Sequence, residues 1–114
     1  MTGIAGFFYR KGQPPIQQDS KLLLDAMAYR GDAKIVVGRY VCLGQTSKHG
    51  SMPLQRHHYT IALDGFLVNR VELVKKLSLA SNSTDSEIII AALIRWSDEF
   101  VSYLRGDFAF VIAD

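Results

Sequence analysis

Apolar residues fall into four strand-like runs along this chain. Residues 3–9 (GIAGFFY) are apolar and aromatic, residues 34–43 (KIVVGRYVCL) are rich in β-branched side chains, and residues 57–65 (HHYTIALDG) close on an Asp-Gly pair. The fourth run, DFAFVIAD, covers residues 107–114. Short runs of this kind, bounded by glycine, proline and polar residues, are typical of buried strands. The pattern therefore predicts four strands, with a polar loop at residues 44–56.

Three segments between these strands have the apolar spacing of helices: residues 21–31, 69–79 and 86–104. The first is preceded by Ser20, a residue type that caps helix starts, and is followed by Gly31, a residue type that ends helices. A helix is predicted for each segment.

Local signals mark the starts of the second and third helices. Asn69 is followed three residues later by Glu72, and Thr84 is followed three residues later by Glu87. This spacing is that of a capping box, in which the side chain of each residue accepts a hydrogen bond from the backbone N–H of the other. The third helix is expected to break near Ser97.

The resulting order, β-α-β-β-α-α-β, indicates an α+β fold. The second and third strands are joined by a loop rather than a helix, which favours antiparallel pairing. The last strand is strongly apolar, and an unpaired apolar edge promotes aggregation. We therefore expect this strand to be central in a sheet, or the chain to be part of a longer protein.

Charge and cysteine content narrow the classes of function. The 114 residues carry 13 basic and 11 acidic side chains, and the basic residues are scattered, so nothing indicates nucleic-acid binding. The single cysteine, Cys42, can form no intramolecular disulfide and is predicted to be buried. No targeting or membrane-spanning segment is predicted, and a cytoplasmic location is expected. Adjacent His57 and His58 would point to opposite faces of a strand, so no metal site is expected.

Four stretches in order along the chain resemble a known family. They are MTGIAGFF at the start, YRGD at 29–32, LDGFLVNRVEL at 63–73, and STDSEIIIAALIRW with LRGDFAFVIAD within 83–114. Together they resemble the N-terminal glutaminase domain of the asparagine synthetase family, the class II glutamine amidotransferases. The resemblance implies an Ntn-hydrolase-like four-layer αββα sandwich with antiparallel sheets, of which residues 1–114 are a partial, N-terminal portion.

The resemblance also implies partners and cofactors that this chain does not contain. Family members continue into an ATP-dependent synthetase domain, which uses ATP and Mg and is absent from residues 1–114. The expected partner is therefore a C-terminal or separately encoded ATP-pyrophosphatase synthetase domain. No cofactor is expected in this chain itself, and no nucleic acid or membrane partner is expected.

Thr2 occupies the position of the family's nucleophile. In active members this residue is a cysteine, which is exposed by removal of the methionine and attacks the glutamine amide with its own α-amine as base. The resemblance therefore places Thr2 at a vestigial nucleophile position. Threonine can serve the same chemistry once Met1 is removed, as in proteasome-type enzymes.

Three further positions concern glutamine binding. The family's carboxylate-binding arginine is missing from the stretch after Leu43-Gly44, where only Lys48 is cationic. Its oxyanion hole uses an asparagine followed by a glycine, and the pair here is Asp64-Gly65. An ionised aspartate accepts hydrogen bonds but cannot donate them. Asp85 matches the aspartate that holds the substrate's amino group, although it could equally act as a charge at a helix start.

Three interpretations follow from these positions. The first is a degenerate glutaminase-like domain that is a scaffold in an ATP-dependent amide-forming ligase, of the lasso-peptide macrolactam cyclase or β-lactam synthetase type. A precursor peptide would then be a further partner. The second is an active N-terminal-threonine glutamine amidohydrolase that supplies ammonia for asparagine synthesis. The third is a binding module without an enzymatic partner domain.

Overall fold

The computed structural model describes residues 3–9, 22, 24–37, 41–47 and 53–114. The strands in this part of the chain are β1 Gly3–Phe8, β2 Asp32–Val37, β3 Val41–Ser47, β4 Leu54–Arg56, β5 Tyr59–Leu67 and β6 Gly106–Ala113. The helices are α1 Arg70–Lys76 and α2 Asp85–Trp96, with 3-10 segments at Ala28–Arg30 and Ser97–Tyr103. The strands form two three-stranded sheets, and the α+β prediction is confirmed.

The first sheet has the order β1-β3-β2, and both pairings are antiparallel. The predicted single strand at residues 34–43 is wrong, because Val37 pairs with Cys42 and the segment belongs to two strands. The predicted loop from residue 44 onward is also wrong at its start, because β3 continues to Ser47. Every residue of β3 is buried, Cys42 included, since this strand is flanked by a strand on each side.

The second sheet has the order β4-β5-β6. Leu54–Arg56, predicted as loop, pairs antiparallel with the start of β5, with Arg56 opposite Tyr59. His57 and His58 form the turn between these strands rather than the start of a strand, and His57 has a φ of 55°. The sequence signal was misleading here because a three-residue strand with two polar positions has no recognisable alternation.

The chain divides into two compact units. The first comprises Met1–Asp64 and Ala109–Asp114, and the second comprises Gly65–Phe108. The core of the first unit contains apolar residues from four strands: Val41, Leu43, Ala62 and Ala113, with Ile4 and Val111 packed against them. A buried amide also joins two strands of this unit, because Gln45 Oε1 accepts a hydrogen bond from Leu63 N at 3.1 Å.

The second unit is built around α2. Its buried hydrophobic side chains are aliphatic and come mainly from this helix: Leu67, Leu73, Ile88, Ile89, Ile90, Ala92 and Leu104. The helix begins as predicted, since the Thr84 hydroxyl accepts a hydrogen bond from Glu87 N at 3.2 Å. None of the described helices has the length and apolarity needed to cross a lipid bilayer.

Asn69 does not cap α1 with its side chain, contrary to the capping-box prediction. Its amide nitrogen donates to Tyr103 O at 2.9 Å, and its amide oxygen accepts from Arg105 N at 3.1 Å. Glu72 forms an ion pair with Lys76 one turn later. The asparagine therefore joins the start of α1 to the segment that enters β6, and a local motif gave no sign of these distant partners.

Residues with positive φ mark the ends of three helical segments. Gly31, at φ 128°, follows the 3-10 segment Ala28–Arg30. Residues 22, 24 and 25 are helical, as predicted, whereas residues 26 and 27 form a turn instead of continuing the predicted helix. Ser20 lies outside the described residues. Ser97, at φ 51°, directly follows the last residue of α2, which confirms the predicted break.

The third such residue, Ser78, closes α1. It has a φ of 53°, and its N–H donates to Lys75 O while Leu79 N–H donates to Val74 O. This pair of bonds is the Schellman arrangement, which satisfies the last carbonyls of a helix and usually has glycine at the left-handed position.

Candidate functional site

Two of the positions singled out from the sequence, Thr2 and Lys48, lie outside the described residues. The first described residue beyond Thr2 is Gly3, which begins β1 and pairs with Thr46. Three side chains crowd this glycine: a Cβ placed on it would lie 2.7 Å from Met27 Sδ, 3.0 Å from Thr46 Oγ1 and 3.3 Å from Arg30 Cδ. The beginning of β1 is therefore closely packed on the side where Arg30 lies.

Arg30 also faces Asp64, the residue that the sequence predicts at the family's oxyanion-donor position. Arg30 Nη1 lies 3.8 Å from Asp64 Oδ2, and both side chains are about one-third exposed, at 28% and 34%. On the other side, Arg30 Nε donates to the Tyr29 hydroxyl at 3.2 Å, and its guanidinium carbon lies 5.5 Å from the centre of the Tyr29 ring. The sequence motif Tyr29-Arg30-Gly31-Asp32 thus contributes a cation to the neighbourhood of Asp64.

The Arg30 guanidinium is permanently protonated. The hydrogen bond and electrostatic interaction with Tyr29, with Asp64 adding to them, raise the pKa of Arg30 above its ordinary value despite the desolvation that opposes them. A guanidinium remains protonated at any physiological pH in any case. Asp64 therefore faces a permanent cation, and the 3.8 Å separation makes this contact an ion pair rather than a hydrogen bond.

Gly65 is required by the backbone. Its φ is 122°, and an added Cβ would lie 2.0 Å from Asp107 O and 2.6 Å from Phe108 Cα. The relation is reciprocal: a Cβ on Gly106, at φ 152°, would lie 2.2 Å from Phe66 O. The two strands approach each other here too closely for any side chain, so the glycine is needed whether or not its N–H has a chemical task.

Asp85 is the first residue of α2, where a negative charge interacts favourably with the helix dipole. Both of its carboxylate oxygens accept hydrogen bonds from the chain itself. Oδ2 accepts from Leu67 N at 3.0 Å, and Oδ1 accepts from Arg70 Nε at 3.2 Å. The Arg70 Nη2 group donates to the carbonyl oxygen of Ser83. The carboxylate thus fixes the end of β5 and the start of α1 against the start of α2.

The predicted positions are distributed over both units. Asp64 belongs to the first unit, whereas Gly65 and Asp85 belong to the second. Within the second unit, Asp85 is hydrogen bonded to Leu67, two residues beyond Gly65, so these two predicted positions lie on one connected segment. Sequence reasoning missed both arginines that engage the predicted aspartates, Arg30 and Arg70. Neither is at a helical spacing from its partner, so no local pattern could have shown the pairs.

Other side chains that could bind a metal or act as nucleophiles form no such cluster among the described residues. Within the described ranges, no group of three or more His, Cys, Asp or Glu side chains could hold a metal ion. His58 Nε2 lies 3.3 Å from an Asp114 carboxylate oxygen, and both side chains are largely exposed. Cys42 is buried as predicted.

Comparison with known proteins identifies the class to which this chain is similar. It is 26% identical to asparagine synthetase (glutamine-hydrolyzing) 3 of Bacillus subtilis strain 168, over an alignment of 131 positions that covers the whole of this chain. The chain spans only 21% of that relative's length. A family profile described as a glutamine amidotransferase domain matches residues 39–114, which include the positions Asp64, Gly65 and Asp85. Since this match covers more than half of the chain, the protein belongs to the glutamine amidotransferase domain family.

Proposed function

We propose that this chain is a glutamine amidotransferase domain that has kept the fold and lost the hydrolysis of glutamine. It acts as a scaffold for an ATP-dependent amide-forming ligase. In such a ligase, of the macrolactam cyclase or β-lactam synthetase type, ATP activates a carboxylate and an amine of the substrate attacks it. Ammonia from glutamine is then not needed.

The observation that carries the proposal is the pairing of Asp64 with Arg30. Hydrolysis of an amide passes through a tetrahedral oxyanion, which needs hydrogen-bond donors at its oxygen. At the position where the family has a donating asparagine, this chain has a carboxylate directed at a guanidinium. A carboxylate offers no donor and repels an oxyanion, and the loss of one such donor costs about 3–4 kcal/mol of transition-state stabilisation.

Two further positions support the same conclusion. Thr2 offers a hydroxyl where the family has a thiol, and a hydroxyl is the weaker nucleophile at neutral pH. The carboxylate-binding arginine is missing from the stretch after Leu43, and a lysine cannot reproduce the two parallel hydrogen bonds of a guanidinium. Nucleophile, oxyanion donor and carboxylate binder have therefore changed together.

The ligase partner belongs to the proposal as well. The relative from Bacillus subtilis is several times longer than this chain, which leaves most of its length for other domains. We expect an ATP-pyrophosphatase domain, which binds ATP and Mg, to be encoded in frame after residue 114 or by a neighbouring gene. A precursor-peptide gene beside it would favour the macrolactam cyclase type.

Ammonia release decides between the proposal and an active N-terminal threonine hydrolase. The freshly purified protein is analysed by mass spectrometry for removal of Met1, and the fraction that lacks Met1 is incubated with L-glutamine. We expect no ammonia above that released by the Thr2→Ala variant. Glutamine-dependent ammonia release that Thr2→Ala abolishes would overturn the proposal and establish the alternative.

A further inference from the structure

We infer that Arg70 prevents Asp85 from binding the ammonium group of an amino-acid ligand. This inference rests on the proposed function and extends it to the one glutamine-handling position that the sequence retains. By resemblance, Asp85 corresponds to the aspartate that holds the amino group of glutamine. In this chain a guanidinium already occupies it.

Each oxygen of the Asp85 carboxylate already accepts a hydrogen bond from the chain itself. One oxygen accepts the backbone N–H of Leu67 at 3.0 Å, and the other accepts Arg70 Nε at 3.2 Å. The Asp85 side chain is only 20% exposed, so the approach of a further group is restricted as well. Arg70 therefore supplies the cation that a substrate ammonium would otherwise supply.

Arg70 is itself held in place. Its Nη2 group donates to the Ser83 carbonyl, so the planar fork of the guanidinium is fixed between two acceptors two residues apart in the chain. Arginine is suited to this geometry because its donors lie in one rigid plane. An incoming ammonium would have to displace this bridge or come close to a like charge, and both are unfavourable.

The inference is specific to amino-acid ligands that carry a free ammonium. It identifies Arg70 as a specificity-determining residue through its effect on Asp85. Removal of the guanidinium should make the carboxylate available to a ligand, while the hydrogen bond from Leu67 N still positions it. Arg70→Gln is the suitable variant because its amide can still donate to a carbonyl, and Arg70→Met is a second variant without any donor.

The Leu67 backbone amide is the reporter, since it is bonded to the same carboxylate. The full chain is labelled with 15N-leucine, the Leu67 resonance is assigned with Leu67→Met, and L-glutamine is titrated in. We expect no saturable shift in the wild-type protein. A saturable shift is expected in Arg70→Gln and Arg70→Met, and it should be absent when Asp85→Asn is added to either variant.

Two controls make the result specific. N-acetyl-L-glutamine lacks the ammonium group and should produce no shift in any variant. Arg95→Met removes an exposed arginine of α2 and should behave as the wild type. Circular dichroism checks that each variant is folded.

The inference is overturned if the amide resonance of Leu67 in the wild-type protein shifts saturably with L-glutamine. This test needs no variant. It is also overturned if the folded Arg70 variants do not respond. The proposed function is tested separately by ammonia release. Glutamine bound at Asp85 without hydrolysis would refute the inference alone, and hydrolysis without a Leu67 response would refute the proposed function alone.

Discussion

At the scale of single residues, the buried polar side chains of β3 differ in their hydrogen bonding. Gln45 accepts a hydrogen bond from the backbone of Leu63, whereas the Thr46 hydroxyl has no hydrogen-bond partner among the residues that the structure describes. A buried donor left without an acceptor costs about 1–3 kcal/mol, while replacement of an unpaired polar group by an apolar isostere is close to neutral. The two neighbours should therefore respond oppositely to apolar substitution.

We predict that Gln45→Leu lowers the free energy of unfolding by about 1–3 kcal/mol, because it leaves the Leu63 N–H unpaired in the core. Thr46→Val should leave the stability unchanged or raise it by up to about 1 kcal/mol. Urea unfolding of the two variants measures both values. A Thr46→Val protein as unstable as Gln45→Leu would show that the threonine hydroxyl has a partner after all.

Gly65 provides the second prediction at this scale. Gly65→Ala combines a strained φ with a methyl group that would lie 2.0 Å from a backbone oxygen, so a loss of about 3 kcal/mol is expected. Ala109→Gly, which removes a methyl group from an exposed position of β6, should cost about 0.5–1 kcal/mol and is the matched control. Equal losses for the two variants would contradict the close approach of the strands.

At the scale of elements, residues near the helix ends in sequence determine where the helices begin and end. The contacts that hold the helices to other segments involve residues distant in sequence. Thr84 caps α2 as its sequence predicts, while Asn69 bonds to Tyr103 and Arg105 instead of capping α1. Near the C-terminal end of α2, Trp96 stacks on Tyr103 with ring centres 4.0 Å apart and planes inclined by 7°. Tyr103, the last residue of the 3-10 segment Ser97–Tyr103, thus contacts both Trp96 in α2 and Asn69 at the start of α1.

The C-terminal end of α1 yields a prediction of increased stability. Ser78 adopts the left-handed conformation that a Schellman arrangement requires, and glycine adopts it without the steric cost of a Cβ. We expect Ser78→Gly to raise the free energy of unfolding by about 0.5–1 kcal/mol.

Ser81→Gly is the control, because Ser81 is exposed and has no positive φ. It should be neutral or slightly destabilising, since glycine increases the entropy of the unfolded chain. Thermal unfolding distinguishes the two, and a lower midpoint for Ser78→Gly would contradict the role given to the left-handed residue.

At the scale of the whole molecule, the predicted site positions are shared between the two units. The proposed function requires that several of them have changed together. Asp64 is in the first unit and Asp85 in the second, and each has an arginine partner within its own unit. Groups that act as one catalytic unit are strongly non-additive, so restoring one member does not restore the activity.

We therefore predict that Asp64→Asn, which returns an amide donor to the proposed oxyanion position, does not produce glutamine hydrolysis. Ammonia release should remain at the level of the Asp98→Asn control, which changes an exposed aspartate in the same way. Release in Asp64→Asn alone would show that the remaining positions are competent and that Asp64 was the only obstacle.

The sequence predicted elements better than it predicted their partners. The strand at residues 3–9, the helix starts after Asn69 and Thr84, and the break at Ser97 all carry local signals, namely apolar spacing, capping residues and chain-reversing residues. The division of residues 34–43 into two strands is harder to predict, because apolar residues occur on both sides of the single Gly38. Their antiparallel pairing is a property of the folded sheet.

The sequence by itself indicated the family and the α+β class, because these depend on residue types in a fixed order. Only the tertiary structure decided how Asp64 and Asp85 are engaged. Arg30 faces Asp64, and Arg70, 15 residues from Asp85, occupies its carboxylate. The physical reason is that local spacing specifies which face of an element is buried, whereas the partner of a charge depends on which distant segment the fold brings within hydrogen-bonding distance.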